Sequence, residues 1–290
     1  MSFSKLTDIT AESASRGIPF WQVILEEDAR ERGVSAEESW YAMEEILEAM
    51  RQADEGYDPN LRSVSGMAGG DGAKLEAFRR QENRLVGDFL VEVMEKAVKM
   101  GESNACMRRI VAMPTAGSCG VVPAVLLTYL DQKNCPVSRA IEALYVAGGI
   151  GEVIATAASI SGAEGGCQAE IGSASAMAAG AVAYLEGGSN EEILHASALA
   201  LKNMLGLTCD PVAGLVEVPC IKRNVSGAVN AVVSAQMAKA GIRSAIEPDE
   251  VIDSMKRIGK LLPTCLRETG QEGLATTKTA ERIAAQFGGV

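Results

Sequence analysis

Three cysteines occupy places that packing alone does not require. Cys167 follows a glycine pair in Gly165-Gly166-Cys167-Gln168-Ala169-Glu170, Cys209 precedes Asp210-Pro211, and Cys220 follows Val218-Pro219. Glycine frees the backbone and proline fixes it, so rigid, non-helical turns are expected at all three. Ten residues separate Cys209 from Cys220 and 41 separate Cys167 from Cys209. No C-x-x-C pair is present among them, which excludes a zinc ribbon. The set suits thiolates on three irons of a [4Fe–4S] cluster whose fourth iron stays open. Three buried free thiols are the plain alternative, and spacing leaves both readings standing.

Two further segments combine glycine with polar groups. In Ser65-Gly66-Met67-Ala68-Gly69-Gly70-Asp71 the glycines allow positive φ and expose backbone N–H groups to a small anion. Pro114-Thr115-Ala116-Gly117-Ser118-Cys119-Gly120 precedes the apolar run Val121 to Leu127. If that run opens a helix, the loop lies at its positive end, where a carboxylate or phosphate is favoured. A tight turn explains either loop equally well.

These loops must be positioned by helices. Residues 1–100 carry 12 basic and 20 acidic side chains and no cysteine, whereas 101–243 carry 20 charges and six of the seven cysteines. From Pro19 to Ala53, Trp21, Ile24 and Leu25, then Trp40, Met43, Ile46, Leu47 and Met50, recur at helical spacing. Ser35 with Glu38 reads as a capping box opening the second of these helices. Residues 151–200 hold 14 alanines, and small residues at helical spacing let backbones approach closely. Helices are expected over 138–160, 171–185, 190–205 and 224–241. The fold class expected is mostly α, a compact bundle of Ala/Gly-rich buried helices with functional glycine-rich loops. It reads as one domain over 1–290, with an amphipathic segment 1–60 packed on it. A large sheet is not expected, because β-branched alternation is sparse.

Composition narrows the function classes. At 290 residues, 47% apolar and 22% charged, the chain is neither disordered nor a disulfide scaffold. A net charge of −11 without a basic stripe argues against nucleic acid. A single histidine, His195, excludes any site needing two. Membrane spans are not expected, since Glu152, Glu164, Glu170 and Lys202 interrupt the apolar stretches and Ile171 to Leu185 is only 15 residues long. The start, Met1-Ser2-Phe3-Ser4-Lys5-Leu6, has no signal-peptide pattern. A cytoplasmic setting with reduced thiols is the expectation, and the odd cysteine count agrees with it.

The sequence resembles the alpha subunit of the iron–sulfur-dependent L-serine dehydratases (L-serine ammonia-lyases) over nearly its whole length. The residues that carry the resemblance are Ser65-Gly66 with Gly69-Gly70-Asp71, Arg109-Ile110-Val111-Ala112 before Pro114-Thr115-Ala116-Gly117, and Gly166-Cys167-Gln168-Ala169-Glu170-Ile171-Gly172. The block Gly206-Leu207-Thr208-Cys209-Asp210-Pro211 through Val218-Pro219-Cys220, and Leu266-Arg267-Glu268-Thr269, complete it. The resemblance implies that Cys167, Cys209 and Cys220 ligate a [4Fe–4S] cluster. Its open iron would act as a Lewis acid on the hydroxyl and carboxylate of L-serine, giving pyruvate and ammonia. It also implies a separate beta subunit, because a serine- and histidine-containing motif belongs to a beta part absent from this sequence. Three departures stand out: Arg108 where glycine is usual, Cys119 where serine is usual, and Cys265 where alanine is usual. Single-chain members end in a cysteine that caps the open iron, whereas this sequence ends Phe287-Gly288-Gly289-Val290.

Under that resemblance Thr115, Ala116 and Gly117 are the first candidates for the substrate carboxylate, with Ser65, Gly69 and Gly70 second. Arg223 is a candidate to neutralise the cluster or the carboxylate. His195 and Lys222 are weak candidates for the catalytic base, which the partner is as well placed to supply. Cys119, in a loop expected to face the site, is a candidate fourth ligand, while Cys106, Cys135 and Cys265 are filler. Rival readings are a lyase releasing sulfide from L-cysteine, a cluster-binding subunit inactive without its partner, and a pyridoxal-phosphate dehydratase. The last needs a Schiff-base lysine, and neither Lys74 nor Lys222 lies in a convincing pocket.

Overall fold

The computed structural model describes residues 3–287. Met1-Ser2 and Gly288 to Val290, the end on which the expectation about a capping cysteine falls, lie outside them. Thirteen α-helices are formed by the described residues. The N-terminal group is α1 (Leu6–Arg16), α2 (Phe20–Arg32), α3 (Ala36–Glu55), α4 (Asp71–Arg79) and α5 (Asp88–Ala105). The small-residue region supplies α6 (Val121–Lys133), α7 (Val137–Ala157), the single turn α8 (Gly162–Gly165), α9 (Ser173–Leu185), α10 (Asn190–Asn203) and α11 (Cys220–Lys239). Two more, α12 (Pro248–Leu261) and α13 (Lys278–Ala284), follow. The mostly helical expectation is met. Among the described residues the only β pairing is an isolated bridge between Cys209 and Arg267.

Helix α9 is the axis. Every residue from Ser173 to Tyr184 is buried, and α6, α7, α10 and α11 pack around it. Small residues decide how near these helices come. A Cβ on Gly180 of α9 would stand 2.2 Å from Ile150 of α7 and 2.8 Å from the Ser197 hydroxyl of α10. A Cβ on Gly227 of α11 would stand 2.8 Å from Ile171. The apolar core runs without a break from Leu6 to Met255. Helix α7 is long and apolar enough to cross a membrane by length and composition, but α9, α2 and α3 pack against it.

The helix ends follow local rules. Ser35 and Glu38 form the expected capping box, and Ser189 with Glu192 forms another at α10. At α1 the cap comes from far along the chain: Asp249, in the first turn of α12, accepts the Leu6 N–H and the Thr7 hydroxyl, both at 2.7 Å. The boundaries of α7, α9 and α10 fall within three residues of expectation. Helix α11 differs, opening at Cys220 rather than near residue 224. Pro219 stands just before its first residue, where a missing N–H costs nothing. The polar Lys222-Arg223-Asn224 in its first turn hides the start from apolar periodicity.

Two glycine-to-alanine changes separate propensity from packing. Gly180→Ala should lower stability by about 1–3 kcal/mol, because the added methyl has nowhere to go. Gly148→Ala in α7 meets no atom within 4 Å and should raise stability by about 0.5–1 kcal/mol. Thermal and urea unfolding of the two variants check both signs.

Candidate metal centre

The three cysteines come together at the end of the bundle where α9 and α11 begin. Cys167 opens a wide π turn over Gln168–Gly172 that runs into α9, and Cys220 is the first residue of α11. Two of the three therefore sit at helix starts rather than on non-helical turns, where the helix dipole favours a thiolate. Cys209 is extended: its N–H donates to the Leu266 carbonyl and its carbonyl accepts from the Glu268 N–H, at 2.9 and 2.8 Å. All three are buried, at 1, 2 and 6% exposure for Cys167, Cys209 and Cys220. The Cys167 and Cys209 sulfurs and a Glu170 carboxylate oxygen lie within 4.8 Å of one another.

One cation joins the three cysteine segments. Arg223, one turn after Cys220, donates to the Thr208 carbonyl at 2.7 Å and to Asp210 Oδ1 at 2.9 Å, so it grips the residue on each side of Cys209. Asp210 is buried and its other oxygen accepts the Leu274 N–H at 2.9 Å. The Cys209 thiol, and then the Arg223 guanidinium, draw the Cys167 thiol below its ordinary range despite burial. Cys209 is pushed up, first by its neighbour Cys167 and then by burial. Burial raises Cys220 to about 12, and the charge on Cys167 adds to that. The three sulfurs are thus close enough to feel one another's charge.

Glu170 entered the sequence reading as part of a motif and as an interruption of an apolar stretch, not as a site residue, yet it stands beside the Cys167 and Cys209 sulfurs. Thr115 donates to its Oε1 at 2.7 Å. A Cβ on Gly117 would lie 3.0 Å from Oε1, and one on Gly162 2.9 Å from Oε2 and 3.3 Å from the Cys209 sulfur. Only glycine at both positions leaves the carboxylate its place. Burial raises the Glu170 carboxyl; Glu268 adds repulsion and the Thr115 bond partly counters both. Glu268 holds a left-handed φ of 62°. Its Oε2 would be 3.0 Å from the same Gly162 Cβ. The signal for Glu170 was available: a lone carboxylate inside an alanine-rich, otherwise apolar stretch flags a buried charge with a task.

The loop Pro114–Gly120 borders this group. Ala116–Ser118 form a 3₁₀ turn with Thr115 as its cap, and Asn224 ties it to the third cysteine. That side chain donates to the Gly117 and Cys220 carbonyls and accepts the Gly120 N–H, at 2.8, 3.0 and 2.8 Å. The Ala116 and Gly117 N–H groups open the turn and have no acceptor within it. The Thr115 hydroxyl, expected to face substrate, is engaged by Glu170. Cys119 does not face the site: it is buried against the Met100 carbonyl, and burial raises its thiol to about 12.

The remaining candidates have partners of their own or none. Gly69, Asp71 and Gly72 donate N–H bonds of 2.9 to 3.1 Å to Glu102, whose carboxylate also accepts the Tyr57 hydroxyl at 2.6 Å. The anion that this glycine loop receives is therefore internal, and Gly70, at a φ of 84°, turns the chain onto it. Ser65 donates to the buried Glu217 at 2.6 Å. Lys222 is exposed and paired with Asp71 at 2.7 Å. His195 is half-buried on α10, more than two turns before the segment that leads to Cys209, and its buried Nδ1 has no hydrogen-bond partner.

Known proteins bear on this arrangement. The profile of the family described as Serine dehydratase alpha chain matches residues 15–275. The chain is 46% identical over 286 residues to a probable L-serine dehydratase alpha chain of Bacillus subtilis (strain 168), covering 98% of this chain and 94% of that one. It is 40% identical over 273 residues to an L-serine dehydratase alpha chain of Peptoniphilus asaccharolyticus, covering 94% of each. To L-serine dehydratase 2 of Escherichia coli (strain K12) it is 45% identical over 185 residues, 62% of this chain but 40% of that protein.

The Glu102 cradle generates a test of the loop that borders Ser65. Glu102→Gln keeps the shape but removes the charge and turns an N–H₂ toward donors. It should cost about 2–4 kcal/mol, read by urea unfolding, with faster proteolysis between Tyr57 and Gly72.

Proposed function

Since the chain belongs to the serine dehydratase alpha chain family, we propose that it is the cluster-bearing subunit of an L-serine ammonia-lyase, working with a separate beta chain. The observation that carries this reading is that the buried Cys167 and Cys209 sulfurs meet beside Glu170, with buried Cys220 near enough to feel the charge on Cys167 and Arg223. The donor set fits a [4Fe–4S] cluster: three buried thiols and a half-buried cation to balance an anionic group. Cys167, Cys209 and Cys220 would hold it. When bound, the cluster supplies an iron without a thiolate ligand, a Lewis acid for the hydroxyl and carboxylate of serine.

The chain's own groups supply the rest. Ala116 and Gly117 offer N–H groups at the start of a 3₁₀ turn to the substrate carboxylate, and Asn224 holds that turn against the Cys220 carbonyl. Arg223 keeps the Cys209 segment in register with α11. Burial of the thiols excludes water from the reacting centre. Loss of the α-proton and the β-hydroxide leaves aminoacrylate, which tautomerises and hydrolyses to pyruvate and ammonia. The base is assigned to the beta chain, because Lys222 is tied to Asp71 and no bond links His195 to the thiol segments among the described residues. Ser65, engaged by Glu217, and Gly69, engaged by Glu102, serve to shape the neighbouring loop, with Gly70 turning the chain just after them.

Anaerobic reconstitution with iron and sulfide, with and without the beta chain, tests the reading. The chain should become brown, and each of Cys167→Ser, Cys209→Ser and Cys220→Ser should lose the colour and the iron. Pyruvate should form from L-serine, and sulfide should not be released from L-cysteine, once the beta chain is added. Full iron in all three variants would overturn it.

Ala116→Pro tests the carboxylate subsite. Proline is tolerated at the first position of a helical turn and removes one N–H. Losing a charge-assisted bond of about 1.5–3 kcal/mol should raise KM for serine roughly tenfold to a hundredfold at unchanged iron content. An unchanged KM places the carboxylate elsewhere.

A further inference from the structure

Resting on the cluster reading above, we infer that Glu170 is the fourth protein ligand of the cluster before substrate arrives, through Oε2. Its carboxylate shares a space less than 4.8 Å across with the Cys167 and Cys209 sulfurs. It is 9% exposed, and among the described residues no lysine or arginine pairs with it, Arg223 being taken by Thr208 and Asp210. A carboxylate that deep normally has a cation beside it or coordinates a metal. Thr115 satisfies Oε1 alone. Oε2 is left facing the Gly162 side, where the missing Cβ keeps the approach to the Cys209 sulfur clear.

The backbone supports the same assignment. Glu170 follows Cys167 by three residues, and the turn between them brings its carboxylate to the Cys167 sulfur. That turn is π-helical, a form that clusters at functional sites. Cys119, the candidate fourth ligand, is directed at the Met100 carbonyl instead. A carboxylate oxygen binds iron less tenaciously than a thiolate, which suits a place that substrate must take over. Thr115 is then a positioning residue, orienting the ligand through its other oxygen.

The test uses the full chain, reconstituted anaerobically with ⁵⁷Fe and kept free of serine. The Mössbauer spectrum of the unaltered chain should show one iron distinct from three thiolate-bound ones. Glu170→Gln should change that one signal. On limited oxidation with ferricyanide the [3Fe–4S] EPR signal, which reports loss of the fourth iron, should appear at least tenfold faster. Thr115→Val, which keeps the carboxylate and loses only its support, should shift the loss in the same direction, by about tenfold. Far-ultraviolet circular dichroism controls for folding. If Glu170→Gln and Thr115→Val match the unaltered chain in both the distinct signal and the rate of iron loss, Glu170 is not the ligand. If the unaltered chain takes up iron without any [4Fe–4S] signature, the cluster reading falls, and the ligand assignment falls with it.

Discussion

A single half-buried guanidinium ties the thiol segments together. Arg223 reaches from the first turn of α11 to the residue on each side of Cys209 and lies beside Cys167. Three chain segments that are remote in sequence are thereby fixed to one planar group. Its planarity matters, because the fork of donors meets a carbonyl and a carboxylate at once, which an ammonium does not reproduce. The cost of burying the charge is offset by Asp210, itself buried and held by the Leu274 N–H. Removing either partner would strand the other in a low-dielectric wall.

Around that pair, the fold solves a packing problem with small residues and a polar problem with a few side-chain hubs. Alanine and glycine bring α7, α9, α10 and α11 near enough to exclude water from the floor of the pocket. Backbone groups freed where helices start or break are then satisfied by Asn224, Gln168 and Glu102. Gln168 joins the π turn to α12 and to the end of α10, donating to the Met255 carbonyl at 3.1 Å and accepting the Gly206 N–H at 2.9 Å. Each hub is a polar side chain buried with its partners in place, which makes the pocket stiff rather than merely dry.

The helical architecture was legible because it rests on local rules. Ser35 with Glu38, the apolar repeat around Trp40 and Leu47, and the alanine content of 151–200 all act within a few residues of themselves. What was hidden depends on groups far apart in sequence. The glycines of Ser65–Asp71 were read as a tight turn or as a loop open to a small anion, and nothing near them announced that their N–H groups meet Glu102. The Thr115 hydroxyl looked free until the turn before α9 brought Glu170 against it, 55 residues on. Cys119 looked like a ligand by loop position, and helix packing turned it toward Met100 instead. The start of α11 was missed because polar residues that serve the pocket interrupt its apolar pattern.

The cap that Asp249 supplies to α1 has a consequence for synthesis. Helix α1 receives its N-terminal hydrogen bonds from a residue 243 positions later. Until that residue emerges, the leading segment has no partner for the Leu6 N–H beyond water, and its apolar face waits for neighbours still to be made. Closing so long a loop adds little entropy cost over a moderate one, but it makes the placing of α1 wait on α12. In synthesis as in refolding, a helix near one end of the fold is finished only when one far along the chain has been made.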